Sequence, residues 1–149
     1  MDFVKNYFKD LKRSFKARTI GDFLVFAASV LMLIEFILYL TSSRTSFDPN
    51  YSPSAIVGMV IALVCGLASI IAPLKALGFG VYLGSLFGLI HYVVSQINLI
   101  ANIIYGVDGS TFPPAFFVTI VCAVLTTGLS LAGAILIKTD KRKERIAAL

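Results

Sequence analysis

Four long runs of apolar residues, separated by short polar stretches, organise this chain: about residues 20–41, 54–74, 78–105 and 114–137. Each reaches the roughly 20 apolar residues needed to cross a hydrocarbon core of about 30 Å. The pattern predicts four transmembrane helices joined by two polar loops and one tight turn. Asp108-Gly109-Ser110 marks the turn in the second loop, and Pro113-Pro114 is placed to open the fourth helix.

A different periodicity precedes the first run. Phe3, Val4, Tyr7, Phe8, Leu11 and Phe15 recur at helical spacing, and Lys5, Lys9, Lys12, Arg13 and Lys16 occupy the opposite side. Aromatic rings on one face and lysines on the other predict a helix lying in the headgroup region, with those five basic residues contacting anionic lipid. The same pattern also suits a helix packed on a partner protein. The expected organisation is therefore a surface helix over 1–19, a four-span domain over 20–137 and a basic tail over 138–149.

Charge orients this arrangement. Threading the four spans up and down puts twelve of the thirteen Lys and Arg residues on one side, with Arg44 the exception. By the positive-inside rule both termini are expected in the cytoplasm, most simply that of a prokaryote, beneath its plasma membrane. The net charge of +5 thus belongs to membrane flanks. It is not the basic patch of a folded domain, so nucleic acid is not expected as a partner. The first span follows a charged segment and no small-residue cleavage site, and it reads as a retained span, not a signal peptide.

Composition narrows the class further. The chain has 149 residues, 58% of them hydrophobic, with a mean hydropathy of +0.89. Four spans leave no length for a separate catalytic domain. The fold class expected is an all-α integral membrane four-helix bundle, N-in and C-in, with an amphipathic interfacial helix at the N-terminus.

The spans are not uniformly apolar. Glu35 lies in the outer half of the first, where a charge facing lipid costs about 3 kcal/mol even on permissive scales, so it is expected to face the bundle interior or to be protonated. The third span, read as one helix, aligns Gly84, Gly88, His91, Ser95, Asn98 and Asn102 on one face. At about 28 residues it would reach about 42 Å and must tilt or project. Glu35, His91, Ser95, Asn98 and Asn102 are the candidate intramembrane site, with Glu35 expected to pair with Ser95 or Asn98. These groups form either a proton or solute path or interhelical hydrogen bonds worth well under about 2 kcal/mol each. Small residues form faces on the second span (Gly58, Ala62, Cys65, Ser69) and the fourth (Thr119, Ala123, Thr126, Ser130, Gly133), suited to closing the bundle or to docking another membrane protein.

Two loop segments resemble each other: Asp48-x-x-x-x-Pro53-x-Ala55 recurs as Asp108-x-x-x-x-Pro113-x-Ala115. A duplicated two-span hairpin would produce this, with a pseudo-twofold axis along the membrane normal.

Catalytic and cofactor chemistry finds little to work with. One histidine and two mid-span cysteines do not make a zinc site. There is no phosphate-binding glycine loop and no serine elbow. No cofactor is expected, and no enzymatic activity. The expected role is a non-enzymatic accessory, assembly or regulatory subunit of a membrane complex, with a membrane-protein partner or a second copy of itself. The alternative is a small solute or proton-coupled transporter or channel using the polar residues of spans one and three.

Overall fold

The structure is a computed structural model and describes residues 18–42, 52–71, 74–106, 109 and 111–137. The lysine-faced segment with Lys5, Lys9, Lys12, Arg13 and Lys16, the basic tail, and Asp48 and Asp108 of the look-alike loops lie outside the described residues.

The described residues form five helices and no strands: α1 (Ile20–Ser42), α2 (Pro53–Ile71), α3 (Lys75–Ser95), α4 (Ile97–Ile104) and α5 (Pro114–Leu136). Four of them, α1, α2, α3 and α5, are long and apolar enough to cross a membrane. Only 28% to 33% of each span is buried inside the molecule. The remainder presents side chains such as Phe23, Ile37, Leu67, Leu83 and Val121 outward. A water-soluble bundle carries charge on that face; this one suits hydrocarbon.

Helix ends follow from local chemistry. Asp22 Oδ2 accepts from the Thr19 backbone N–H at 2.8 Å and from the Thr19 hydroxyl at 3.0 Å. This is the returning half of a capping box at the start of α1. Ser52 caps α2, its hydroxyl accepting from the Ala55 N–H at 3.3 Å. Pro114 opens α5 at a position where its missing N–H removes no helical bond, as the sequence predicts. Gly106, at φ 67°, ends α4 in the left-handed conformation that glycine tolerates.

The third span departs from expectation. Instead of one helix over 78–105, the chain breaks at Gln96 (φ −90°, ψ 5°) between α3 and α4. The Ser95 hydroxyl donates to the Tyr92 carbonyl at 2.7 Å, and the Gln96 N–H is divided between that carbonyl and Val93 at 3.2 and 3.1 Å. A side chain competing for a ladder carbonyl tightens the turn and bends the helix. The other spans differ from expectation only at their ends.

The chain runs up and down. The start of α1 meets the end of α5, and Arg18 reaches the end of α2. At the opposite end Tyr39 of α1 meets Ser52 before α2 and Tyr92 of α3, and Tyr92 meets Phe116 of α5. The most intimate pairs are α1 with α5 and α2 with α3. A Cβ on Gly21 would lie 2.5 Å from the Ile137 nitrogen and 2.6 Å from the Gly133 oxygen, and one on Gly58 would lie 2.6 Å from the Gly88 nitrogen. Both small-residue faces are thus spent inside the bundle: Gly58 and Ala62 meet α3, and Thr119, Ala123, Thr126, Ser130 and Gly133 are buried.

A twofold exchanging α1 with α3 and α2 with α5 would interchange these two close pairs. The contact lies at the Arg18 end in one pair and toward the Tyr39 end in the other, so the correspondence is one of pairing and not of detail.

Gly58→Ala is expected to push α2 and α3 apart and cost about 1–3 kcal/mol, the usual penalty for overpacking. Gly128→Ala, where a Cβ meets nothing within 4 Å, should leave stability unchanged or slightly raised. Thermal unfolding of both variants in one detergent measures the difference.

Candidate functional site: a buried carboxylate in the bundle

Glu35 reaches the interior because of its place on α1. Ala28, Met32, Glu35 and Tyr39 follow one another at three- and four-residue spacing, and all four are buried. Glu35 is 1% exposed, so its carboxylate faces protein and not lipid. Its Oε2 has no hydrogen-bond partner among the described residues. Across the α1–α5 interface, Cys122 lies within electrostatic range of this carboxylate. One turn along α5 from Cys122, the Thr126 hydroxyl is also buried without a hydrogen bond. One of the two most closely packed helix pairs therefore carries two bare oxygen atoms, one of them on an acid.

Aromatic rings close the bundle on the Tyr39 side. The Ser52 N–H donates to the Tyr39 hydroxyl at 2.8 Å, and that hydroxyl donates to the Ser52 carbonyl at 3.5 Å. The Tyr39 ring stands edge-on to Tyr92 at 5.6 Å, Tyr92 lies 6.1 Å from Phe116, and Phe116 stacks on Phe112 at 5.0 Å. On the opposite side the closure is backbone against backbone, at Gly21 and Gly133. Glu35 sits between the two closures.

The other candidates are placed differently from one another. His91 is half-buried, its ring 4.3 Å from Phe87. Ser95 is half-buried and bonded to its own helix at Tyr92. Asn98 and Asn102 are exposed on α4. The expected pairing of Glu35 with Ser95 or Asn98 is not formed: the asparagines are exposed on α4, and the Ser95 proton goes to a backbone carbonyl. Gln96 enters the interior instead, at 2% exposure, although its helical phase in an unbroken span set it apart from the polar stripe.

Other polar contacts join helices. The Thr127 hydroxyl lies 3.3 Å from that of Ser85, linking α5 to α3, and 2.8 Å from the Ala123 carbonyl. At the Arg18 end, Arg18 Nη2 donates to the Ile70 carbonyl at 2.7 Å, where α2 has run out of backbone donors. Arg18 is 6% exposed. It belongs by sequence to the basic flank, but it acts as a cap on a neighbouring helix. Its position immediately before the Thr19-x-x-Asp22 helix start, off the amphipathic repeat of the preceding segment, is the one signal that could have set it apart.

Among the described residues no three of His, Cys, Asp and Glu gather into a metal-binding group. Cys65 and Cys122 are free and lie on α2 and α5.

The all-helical architecture and its four long apolar helices place the chain among multi-pass membrane proteins. No protein-family model, curated protein or solved structure matches it.

A buried carboxylate with an unbonded oxygen weakens the fold it sits in. Glu35→Met, which keeps the volume and removes the charge, is expected to raise stability by about 1–3 kcal/mol. A fall in the thermal midpoint in detergent would show instead that the carboxylate holds helices together.

Proposed function

We propose that this protein is a small transporter or channel that conducts protons, or couples them to a small solute, through Glu35. The observation that carries the reading is the fully buried Glu35 carboxylate with Oε2 unbonded, held between an aromatic closure and a glycine closure. Intramembrane acids are expensive, and those that persist commonly serve ion or proton pathways. A structural role requires hydrogen bonds from Glu35 to other helices, and none is made at Oε2. The break at Gln96 supports the reading, because interrupted helices supply movable joints near transport sites.

In this reading the Arg18 end faces the cytoplasm of a prokaryotic plasma membrane, with both termini inside. The lysine-faced N-terminal helix rests on anionic lipid of the inner leaflet. Opening one closure at a time exposes Glu35 to one side and then the other. The chemistry is proton exchange at a single carboxylate and needs neither a catalytic centre nor a cofactor.

A second reading, an accessory or assembly subunit of a membrane complex, is favoured by α4. This helix has no buried residue; it ends at Ile104, 72% exposed, and Tyr105 follows at 81%. Such a projection suits contact with a partner or a second copy. The two small-residue faces do not add to this reading, since both are consumed inside the bundle.

The deciding experiment places the purified protein in liposomes containing a pH-sensitive dye, under a potassium diffusion potential, with and without a dialysable extract of small solutes. Wild type is expected to acidify the lumen faster than empty vesicles, and Glu35→Gln to return the rate to the empty-vesicle level. Equal rates for wild type and empty vesicles under both conditions would remove the transport reading. A strictly monomeric particle in mild detergent, with nothing co-purifying at native expression, would remove the subunit reading.

A further inference from the structure

A hydroxyl inside an apolar helix ordinarily bonds to a carbonyl of its own helix. Ser29 donates to Val25 at 2.8 Å, Ser85 to Tyr82 at 2.9 Å, Thr127 to Ala123 at 2.8 Å and Ser130 to Thr127 at 3.0 Å. Thr126 departs from this habit. It is 0% exposed, yet its hydroxyl has no hydrogen-bond partner among the described residues. Glu35, equally buried on the facing helix, leaves its Oε2 in the same condition.

Helix register carries these two oxygens toward one layer. α1 and α5 run antiparallel, and a Cβ on Gly21 would fall between the backbones of Gly133 and Ile137. Glu35 is fourteen residues further along α1, so it is level with the turn fourteen residues back along α5, Thr119–Ala123. Its electrostatic coupling to Cys122 agrees with that level. Met32, eleven residues on from Gly21, is level by the same count with Cys122–Thr126. Side chains lean toward the N-terminus of their own helix. In an antiparallel pair, Glu35 therefore leans toward the Arg18 end and Thr126 toward the Tyr39 end. The acid and the hydroxyl lean toward each other across the Met32 layer, and they do not bond directly.

A buried water requires at least two polar partners, and this layer supplies them. Water carries two donors and two acceptors. It can donate to a carboxylate oxygen, or accept from a carboxyl O–H, and still bond the Thr126 hydroxyl. The α1–α2 groove, lined by Phe26, Leu33, Leu63 and Leu67 among others, makes no such offer. Its one hydroxyl, that of Ser29, is already engaged at Val25.

We propose that a single water molecule is bound between Glu35 and Thr126 in the α1–α5 interface, with Thr126 as its positioning residue. The site follows from burial and register, so it stands or falls separately from transport. Through the water, a hydroxyl on α5 sets where the proton of an acid on α1 points.

X-ray radiolysis of the full chain in lipid bilayers tests this, because hydroxyl radicals born from a bound water oxidise the side chains beside it. Met32 and Met59 are both 0% exposed, so bulk water reaches neither, and both thioethers are readily oxidised. In wild type, Met32 is expected to be oxidised well above Met59, as read by mass spectrometry of peptides. Thr126→Val keeps the shape and removes the hydroxyl; it is expected to bring Met32 down to the level of Met59. Thr126→Ser restores a hydroxyl and should restore the oxidation, an effect that a purely packing role for Thr126 does not produce. Equal oxidation of Met32 and Met59 in wild type overturns the proposal, as does wild-type oxidation of Met32 in Thr126→Val. If Thr126→Val does not fold, the contrast between Met32 and Met59 in wild type decides.

Discussion

Lipid offers no hydrophobic reward for bringing apolar helices together, so this bundle depends on how closely its backbones can approach. Two crossings meet that requirement. At one, Gly21 of α1 lies against Gly133 and Ile137 of α5; at the other, Gly58 and Ala62 of α2 lie against Gly84 and Gly88 of α3. Close approach multiplies small dispersion contacts along two helix pairs. The third association, α3 with α5, adds the Thr127–Ser85 contact. The fourth, α1 with α2, is left loose and opens into the groove.

That division has consequences for the rest of the molecule. Because α1 is pressed onto α5, Glu35 is carried into protein and away from lipid, within electrostatic range of Cys122. Where α1 and α2 diverge, a groove opens between them, and Arg18 caps the end of α2. The same arrangement that buries a carboxylate with an unbonded oxygen thus leaves an apolar recess between α1 and α2.

Much of the fold is legible in residue order. Four runs of apolar residues appear as four long helices, Pro114 opens the last of them, and the inward placement of Glu35 follows from the cost of exposing a carboxylate to hydrocarbon. The surroundings of Glu35 were not legible. Reading 78–105 as one helix aligned Ser95, Asn98 and Asn102 on a single face and suggested partners for the acid. The break at Gln96 undoes that alignment: Ser95, just before it, gives its proton to the Tyr92 carbonyl, and the two asparagines beyond it are exposed. Arg18 was hidden for a related reason. A basic residue beside a span reads as a topological signal, whatever carbonyl its side chain finds.

The sequence by itself determined where the four long apolar helices run, to within their ends and the break in the third, and that the interior suits Glu35 better than lipid. Each of these follows from the price of placing backbone polar groups or charge in hydrocarbon. Only the tertiary structure decided which helix faces meet. In water an apolar stripe points to the core, but in lipid the core and the surroundings are equally apolar and hydrophobicity loses its direction. What selects the contacts is the shape left by glycine, alanine and serine on two helices at once, and no one segment of the chain contains that information.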